Sequence, residues 1–266
     1  THYGGREMRA LVVACAMLVM TAIGAQAELV DGLVLYMPLD EGAGATVADL
    51  GPNGLEGEIQ GGPVWVAGMQ GMGLQFATSS DLVNIPITGA LEIADAITQA
   101  AWVKLDRLPG GHAIIFGTRG GGGRLIGFGY GMNPSNGIKV WTNAPAGGFL
   151  DVNDNITVLD TDTWYYLAYT HTTDDDGMVR IYVDGAMTHE QASGNPVLPA
   201  DTPTDVTIGT WSGEAWPGHV DEVRLWNRVL SEEEINASMN ADVDGFLAVS
   251  PRGKLTTTWA AAKQRR

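Results

Sequence analysis

Cysteine is almost absent from this chain of 266 residues, since Cys15 is the only one. It lies in an apolar run, residues 10–23, that follows Met8 and Arg9 and precedes the sequence AQA at residues 25–27. A positive charge, a short apolar run and an A-x-A site are the pattern of a secretory signal peptide. Cleavage after Ala27 leaves no cysteine, which excludes disulfides, thiol catalysis and zinc–thiolate sites from the mature chain.

A long apolar run is also missing. The apolar run at residues 10–23 is shorter than the roughly 20 residues that a membrane-spanning helix needs. We therefore expect no transmembrane segment in the mature chain. Two alternatives remain open for this run: a buried core helix, and a bacterial lipobox at residues 12–15 (VVAC). The signal peptide places the mature protein outside the cytoplasm, either secreted, at the cell surface or in the periplasm. Residues 1–7 precede the predicted start and are grouped with the leader.

Basic residues are few: 15 Lys and Arg stand against 31 Asp and Glu, which gives a formal net charge of −16. The acidic residues concentrate in the body of the chain, whereas residues 251–266 carry basic residues and no acidic one. An acidic body repels nucleic acid and anionic membranes and attracts divalent cations. The charge therefore argues against nucleic acid as a partner.

Long helical periodicity and internal repeats are missing too, while glycine is abundant at 36 residues. Such a composition is typical of many short strands joined by tight turns. Apolar and polar side chains alternate most clearly at residues 97–105, 164–170 and 178–183, which predicts strands. Asp184 and Gly185 then predict a type I′ hairpin turn. Further short strands are predicted at residues 33–39, 73–76, 82–85, 113–116, 125–130, 138–141, 186–191, 206–209 and 220–226.

One short helix is predicted near the end of the body. Residues 231–234 (SEEE) form a capping box, in which a hydroxyl and a carboxylate three positions later satisfy free helix-end amides. The helix is expected to run to about Met239. The sequence thus predicts an all-β fold, an antiparallel β-sandwich with one short C-terminal helix.

Several of these segments occur in an order that resembles the laminin G-like, or pentraxin, type of concanavalin A-like lectin. They are residues 36–42 (YMPLDEG), 49–54 (DLGPNG), 73–76 (GLQF), 97–103 (ITQAAWV), 164–170 (WYYLAYT), 181–185 (IYVDG), 208–209 (IG) and 218–235 (GHVDEVRLWNRVLSEEEI). The resemblance covers roughly residues 33–240. It implies a concanavalin A-like jelly roll whose first and last strands lie close together. We therefore divide the chain into residues 1–27 (leader), 28–245 (jelly-roll domain) and 246–266 (basic tail).

A structural calcium ion is predicted near the two chain ends of this domain. Asp221 alternates in step with Val223, so its carboxylate is expected to face the core, where a charge needs a cation or hydrogen-bond donors. Calcium binds six to eight oxygen ligands held by flexible loops, and the resemblance implies such a site. The predicted ligands are Asp40, Asp49, Asn53 and Asp221. The alternative is that Asp40 and Asp49 cap turns while Asp221 accepts backbone N–H bonds.

Catalytic motifs are missing. Glucanases that share this fold carry their acids on one strand as E-x-D-x-x-E, and the sequence contains no such triplet. Asp221 and Glu222 are adjacent, so a regular strand would point them to opposite faces. There is no G-x-S-x-G elbow, and the histidines lack metal-binding spacing. We interpret the chain as a non-enzyme, with an atypical glycoside hydrolase as the alternative.

Glycan recognition remains as a function, because sugars stack on exposed aromatic rings. The aromatic residues predicted to bind a ligand, at strand ends or in loops, are Tyr130, Trp141, Trp211 and Trp216. Trp102 and Trp164 are assigned to the scaffold instead. The sequence thus predicts an exported, non-catalytic module that binds a glycan or a cell-surface or matrix protein. A purely structural component of an envelope or matrix is the second alternative.

Overall fold

The computed structural model describes residues 29–86, 91, 93, 95–120, 127–130, 136–143, 149–194, 203–211, 213–243 and 246. The predicted leader, and the predicted tail beyond its first residue, lie outside these residues. Residues 32–232 form one compact unit, and residues 1–31 with 233–266 form a second. All the described strands belong to the first unit.

The described strands number 18. They are β1 (Leu33–Met37), β2 (Thr46–Ala48), β3 (Glu56–Gln60), β4 (Val64–Ala67), β5 (Met72–Phe76), β6 (Leu82–Pro86), β7 (Ala96–Leu105), β8 (Ala113–Gly120), β9 (Gly127–Tyr130), β10 (Gly137–Asn143), β11 (Phe149–Val158), β12 (Trp164–Thr172), β13 (Met178–Val183), β14 (Ala186–Ala192), β15 (Pro203–Ile208), β16 (Thr210–Trp211), β17 (Glu214–Ala215) and β18 (Gly218–Trp226).

These strands form two sheets. The eight-stranded sheet has the order β14-β13-β12-β7-β18-β5-β4, and β1 also pairs with β18. The ten-stranded sheet has the order β11-β10-β9-β8-β15-β6-β3-β2, with β16 and β17 attached beside β8. One apolar core includes buried side chains of both sheets, such as Val103 and Leu74 from the first and Val83, Ile115 and Val140 from the second. The predicted β-sandwich is therefore confirmed, and the first strand pairs with the last as expected.

The local predictions also hold where the pattern is strong. Ala101, Val103 and Leu105 of β7 lie in the core, as their alternation indicates. Asp184 and Gly185 have φ angles of 51° and 81°, the positive values that a type I′ turn requires. The pattern did not reveal the short or polar strands β2, β3, β4, β11, β16 and β17.

The described helix α1, Glu232–Asn240, begins one residue after the predicted capping serine, and all of it after Glu232 lies in the second unit. Within the helix, Ile235 and Ser238 are buried. In the part of the chain that the structure describes, we find no apolar helix of the length that crossing a membrane requires.

A β-bulge interrupts the alternation of β18. Val220 and Val223 are both core residues although they are three positions apart, which a regular strand does not allow. Glu222 is the extra residue of the bulge, and its φ is 55°. Asp221 pairs with Trp102, on the face of the sheet that points away from the core. The prediction that Asp221 faces the core is therefore wrong.

Gly209 allows the chain to pass close to the core after β15. Its φ is 90°, and a Cβ at this position would overlap the ring of Phe76. We expect Gly209→Ala to lower the free energy of unfolding by about 1–3 kcal/mol in urea denaturation. Gly213→Ala is the matched control, because Gly213 has a φ of 89° but no atom within 4 Å of the added Cβ. Equal losses in the two variants would contradict the overlap with Phe76.

Candidate functional site

Two carboxylates bind the loop between β4 and β5. Asp221 Oδ2 accepts hydrogen bonds from the backbone N–H groups of Met69 (2.8 Å) and Gln70 (2.9 Å). Asp40, which follows β1, accepts one through Oδ1 from Met72 N–H (2.7 Å). The loop is thus held between the end of the first strand and the middle of the last.

Glycine makes this close approach possible. A Cβ added at Gly68 would lie 2.6 Å from Asp221 Oδ2, and one added at Gly71 would overlap Asp40 Oδ1. Gly71 also has a positive φ of 60°. The loop therefore presents bare backbone to both carboxylates, which a side chain would prevent.

Acidic side chains cluster at this place, which we call the acidic junction (Asp40, Asp221 and Glu222). The pKa of Asp221 is raised to about 8, mainly by burial and also by the neighbouring charges of Glu222 and Asp40, while the two backbone hydrogen bonds act in the opposite direction. Burial also raises the pKa of Glu222, and Asp40 adds to that increase. Asp221 Oδ1 is buried and has no hydrogen-bond partner among the described residues. A cation would satisfy this oxygen and relieve the repulsion.

A calcium ion fits part of the predicted ligand set. Asp221 provides a buried oxygen without a hydrogen-bond partner among the described residues, and Asp40 provides a neighbouring carboxylate. The described residues contain no group of three or more His, Cys, Asp or Glu side chains arranged to hold a metal. An ion at the acidic junction would therefore complete its six to eight ligands with backbone carbonyls and water.

The other two predicted ligands stabilise their own loop. Asp49 Oδ1 accepts from the N–H groups of Tyr36 (2.8 Å) and Gly51 (2.7 Å), and its Oδ2 accepts from Leu55 N–H (3.0 Å). Asn53 donates its side-chain amide to the carbonyl of Val34 (2.7 Å). Asp49 thus caps its own turn, as in the alternative interpretation. The hydrogen bonds of Asp49 and Asn53 do not support a role for either residue as a calcium ligand at the acidic junction.

Glu222 belongs to a buried ion pair. Its Oε2 accepts hydrogen bonds from the Tyr36 hydroxyl (2.8 Å) and from Arg224 Nη2. The guanidinium of Arg224 lies 4.7 Å from the centre of the Tyr36 ring. All three side chains are 0% exposed. The bulge brings Asp221 and Glu222 into one electrostatic neighbourhood, contrary to the expectation of opposite faces, but both carboxylates are withdrawn from solvent.

A different part of the same sheet face is accessible. Trp164 of β12, Lys104 of β7, His219 of β18 and Gln75 of β5 are successive cross-strand neighbours. They point away from the core, because the residues next to them along the strands are core residues. Together with Asp106, which follows β7, they form what we call the polar–aromatic row. His219 is largely buried, and the other four members are half-buried.

Direct contacts fix the geometry of the polar–aromatic row. Asp106 Oδ2 accepts from Gln75 Nε2 (2.6 Å), and Asp106 Oδ1 lies 3.0 Å from His219 Nε2. The His219 ring meets the Trp164 ring edge-on, with centroids 5.8 Å apart. Lys104 Nζ lies 5.3 Å from the Trp164 centroid. The row therefore combines an aromatic ring with a fixed carboxylate, an amide and an ammonium group.

His219 is neutral at neutral pH. Burial lowers its pKa below 6.5, and the charge of Lys104 acts in the same direction. The carboxylates of Asp106 and Asp162 oppose this decrease without overcoming it. Lys104 is thus the only cation within the polar–aromatic row at neutral pH.

Two aromatic residues predicted to bind a ligand are covered instead. Trp216 is 0% exposed and donates its Nε1–H to the carbonyl of His219 (3.1 Å), so the prediction is wrong for this ring. Trp141 is 6% exposed and packs with Ile114 in a small cluster separate from the main core. The side chains of Tyr130 and Trp211 lie outside the part of the chain that the structure describes, and their role stays a prediction.

The sequence argument assigns Trp164 to the scaffold, and the structure places it half-buried beside the polar groups of the row. The alternation of β12 accounts for this position, because Leu167 and Tyr169 enter the core and Trp164 and Tyr166 take the other face.

Comparison with solved structures shows the same fold. The binding domain of Paraclostridial Mosquitocidal Protein 1 matches with a TM-score of 0.64 and 14% identity, over 80% of this chain and 52% of that one. The botulinum neurotoxin serotype D ligand-binding domain, in complex with N-acetylneuraminic acid, matches with a TM-score of 0.62 and 13% identity, over 81% and 52%. The chain thus spans about half the length of these toxin domains.

A third solved structure matches along nearly its whole length. It is domain 4 of AbnA, a GH43 extracellular arabinanase from Geobacillus stearothermophilus, in complex with arabinotriose. The TM-score is 0.62 with 18% identity, over 78% of this chain and 98% of that domain. No curated protein matches the sequence.

A family model gives the assignment. The model described as the concanavalin A-like lectin/glucanases superfamily, of laminin G type, matches residues 77–236, more than half of the chain. The matched span includes β7, β12 and β18, which carry most of the polar–aromatic row, and the bulge with Asp221. The chain therefore belongs to the concanavalin A-like lectin/glucanase superfamily.

Proposed function

We propose that this protein is an exported, non-catalytic module that binds a glycan or a surface protein. One observation carries the proposal: the polar–aromatic row offers a half-buried tryptophan and fixed polar groups on an open sheet face, while the neighbouring acids Asp221 and Glu222 are 0% exposed. Glycoside hydrolysis needs two carboxyl groups that reach the substrate. Export rests on the predicted signal peptide that ends at Ala27.

The similar structures support a binding role. The arabinanase domain was solved with arabinotriose, and the neurotoxin domain was solved with N-acetylneuraminic acid. At 18% and 13% identity the similarity supports the fold, and the chemistry of the site must come from the residues of this chain.

A structural calcium ion at the acidic junction is part of the proposal. Asp221 and Asp40 would hold it, and the ion would supply a positive charge next to the buried carboxylate of Asp221. The supporting observation is Asp221 Oδ1, a buried oxygen without a hydrogen-bond partner among the described residues. The ion would then hold the end of β1, the middle of β18 and the β4–β5 loop together.

Retention on insoluble polysaccharides tests the binding role. We expect the protein to be retained on at least one polymer of a panel that includes cellulose, arabinan, agarose and laminarin-type glucans. We also expect no release of reducing ends from any of them, because the adjacent acids of β18, Asp221 and Glu222, are 0% exposed. Release of reducing ends would favour the hydrolase alternative instead. Failure to bind any glycan or matrix protein would favour a purely structural role.

A further inference from the structure

We infer that the polar–aromatic row is the glycan-binding site and that it selects neutral over anionic glycans. This inference rests on the proposed glycan-binding function and adds the site and the class of ligand. The sugar ring would stack on Trp164, and its hydroxyl groups would bond with Asp106, Gln75 and Lys104. None of the residues first predicted to bind a ligand belongs to this row.

Trp164 provides an aromatic surface whose position is fixed. The His219 ring packs against it in a T-shaped arrangement, and the ammonium of Lys104 lies 5.3 Å from its centre. A ring held in place loses little conformational entropy when a ligand binds, so its contact area contributes more fully to affinity. The apolar face of a pyranose or furanose suits such a half-buried ring at the edge of polar groups.

Asp106 provides acceptors for hydroxyl groups. Each of its oxygens has one partner, Gln75 Nε2 or His219 Nε2, and a carboxylate has about four acceptor positions in total. Its side chain is 31% exposed, so the remaining positions are accessible from solvent. The two existing contacts orient the carboxylate before a sugar arrives, which is the arrangement that favours tight hydrogen bonds.

The charge around the row disfavours anionic sugars. Two carboxylates, Asp106 and Asp162, lie near His219, whereas Lys104 provides the one ammonium group of the row. The chain as a whole carries a formal net charge of −16. Carboxylated or sulfated polymers would therefore approach a surface of their own sign, which slows association and weakens binding. Neutral glycans do not meet this repulsion.

Matched polymers and matched variants test the inference. Retention is measured on cellulose against carboxymethylcellulose, and on agarose against carrageenan, together with neutral arabinan and laminarin. We expect wild-type protein to be retained on a neutral polymer at least about tenfold more strongly than on its anionic counterpart. Trp164→Ala is expected to weaken that retention by about tenfold, the scale of one lost aromatic contact. Trp164→Phe keeps a ring and is expected to retain most of the binding.

Further variants separate the site from the fold. Asp106→Asn keeps the size of the side chain and is expected to weaken neutral-glycan retention with an unchanged melting temperature. Trp211→Ala tests the prediction that the Trp211 ring binds the ligand, and we expect it to leave retention unchanged. Retention that is unchanged in both Trp164→Ala and Asp106→Asn would refute the polar–aromatic row as the binding site but would remain consistent with the glycan-binding function. Equal retention on anionic polymers would refute the neutral class, and no retention on any polymer would refute the glycan-binding function as well.

Discussion

Replacing Arg224 with methionine is expected to destabilise the protein by about 3–5 kcal/mol, the cost of leaving one partner of a buried ion pair without the other. Glu222 would remain 0% exposed, with a hydrogen bond from the Tyr36 hydroxyl but no positive charge beside it. Arg224 also lies against the Tyr36 ring, so the substitution removes that contact too. The loss is measured as the free energy of unfolding in urea at neutral pH.

A surface pair gives the matched control. Arg180 bonds with Glu190 at 3.3 Å, but its side chain is 28% exposed and that of Glu190 is 52% exposed. Arg180→Met should therefore cost less than about 1 kcal/mol. The double variant Glu222→Gln with Arg224→Met removes both charges and is expected to recover much of the loss. A cost for Arg224→Met as small as that for Arg180→Met would contradict the role of the buried pair.

The sequence predicts the sandwich because alternation survives in most long strands. In β7 and β13 most of the alternate residues enter the core, such as Ala101, Val103 and Ile181, so their faces follow from the sequence alone. The strands that escaped prediction are short, or polar as in β11, which contains Asp151, Asn153 and Asp154. Such residues have low strand propensity, and pairing with neighbouring strands overrides that preference.

The candidate sites were harder to predict because they depend on departures from regular geometry. The bulge at Glu222 moves Asp221 to the opposite face, and no alternation rule anticipates an inserted residue. The polar–aromatic row joins residues from four strands that are far apart in the chain. Register across the sheet, rather than any local motif, brings Trp164, Lys104 and His219 side by side.

Calcium-free protein is expected to lose stability as the pH rises from about 4 to 8. The pKa of Asp221 is raised from 3.8 to about 8 in the folded protein, so in this range the folded state holds a proton that the unfolded state has released. The stabilisation is complete below the unfolded pKa and is lost as the pH rises through the folded pKa. The free energy of unfolding should fall by up to about 1.4 kcal/mol per pH unit. Thermal and urea denaturation in chelator measure this slope.

Asp221→Asn isolates the contribution of that carboxyl group. The amide carries no charge at any of these pH values, so the variant is expected to show a shallower slope and to exceed wild type in stability at pH 8 without calcium. The slope that remains belongs largely to Glu222, whose pKa burial also raises. Asp81→Asn is the control. Burial opposes ionisation of Asp81 too, but the N–H groups of Ala77, Thr78 and Gly62 bind its carboxylate, and the pKa is lowered overall. The contribution of Asp81 to stability is therefore lost only towards acid pH.

The response to added calcium shows whether Asp221 binds a metal ion or only accepts hydrogen bonds. The ion binds the ionised carboxylate, so calcium and the proton compete for Asp221, and stabilisation by millimolar calcium should grow as the pH rises. Asp221→Asn should abolish this response, Asp40→Asn should weaken it, and Asp49→Asn should leave the calcium response intact. A pH slope in wild type without any calcium response would show that Asp221 only anchors the β4–β5 loop. A calcium response that persists in Asp221→Asn would move the ion to another site.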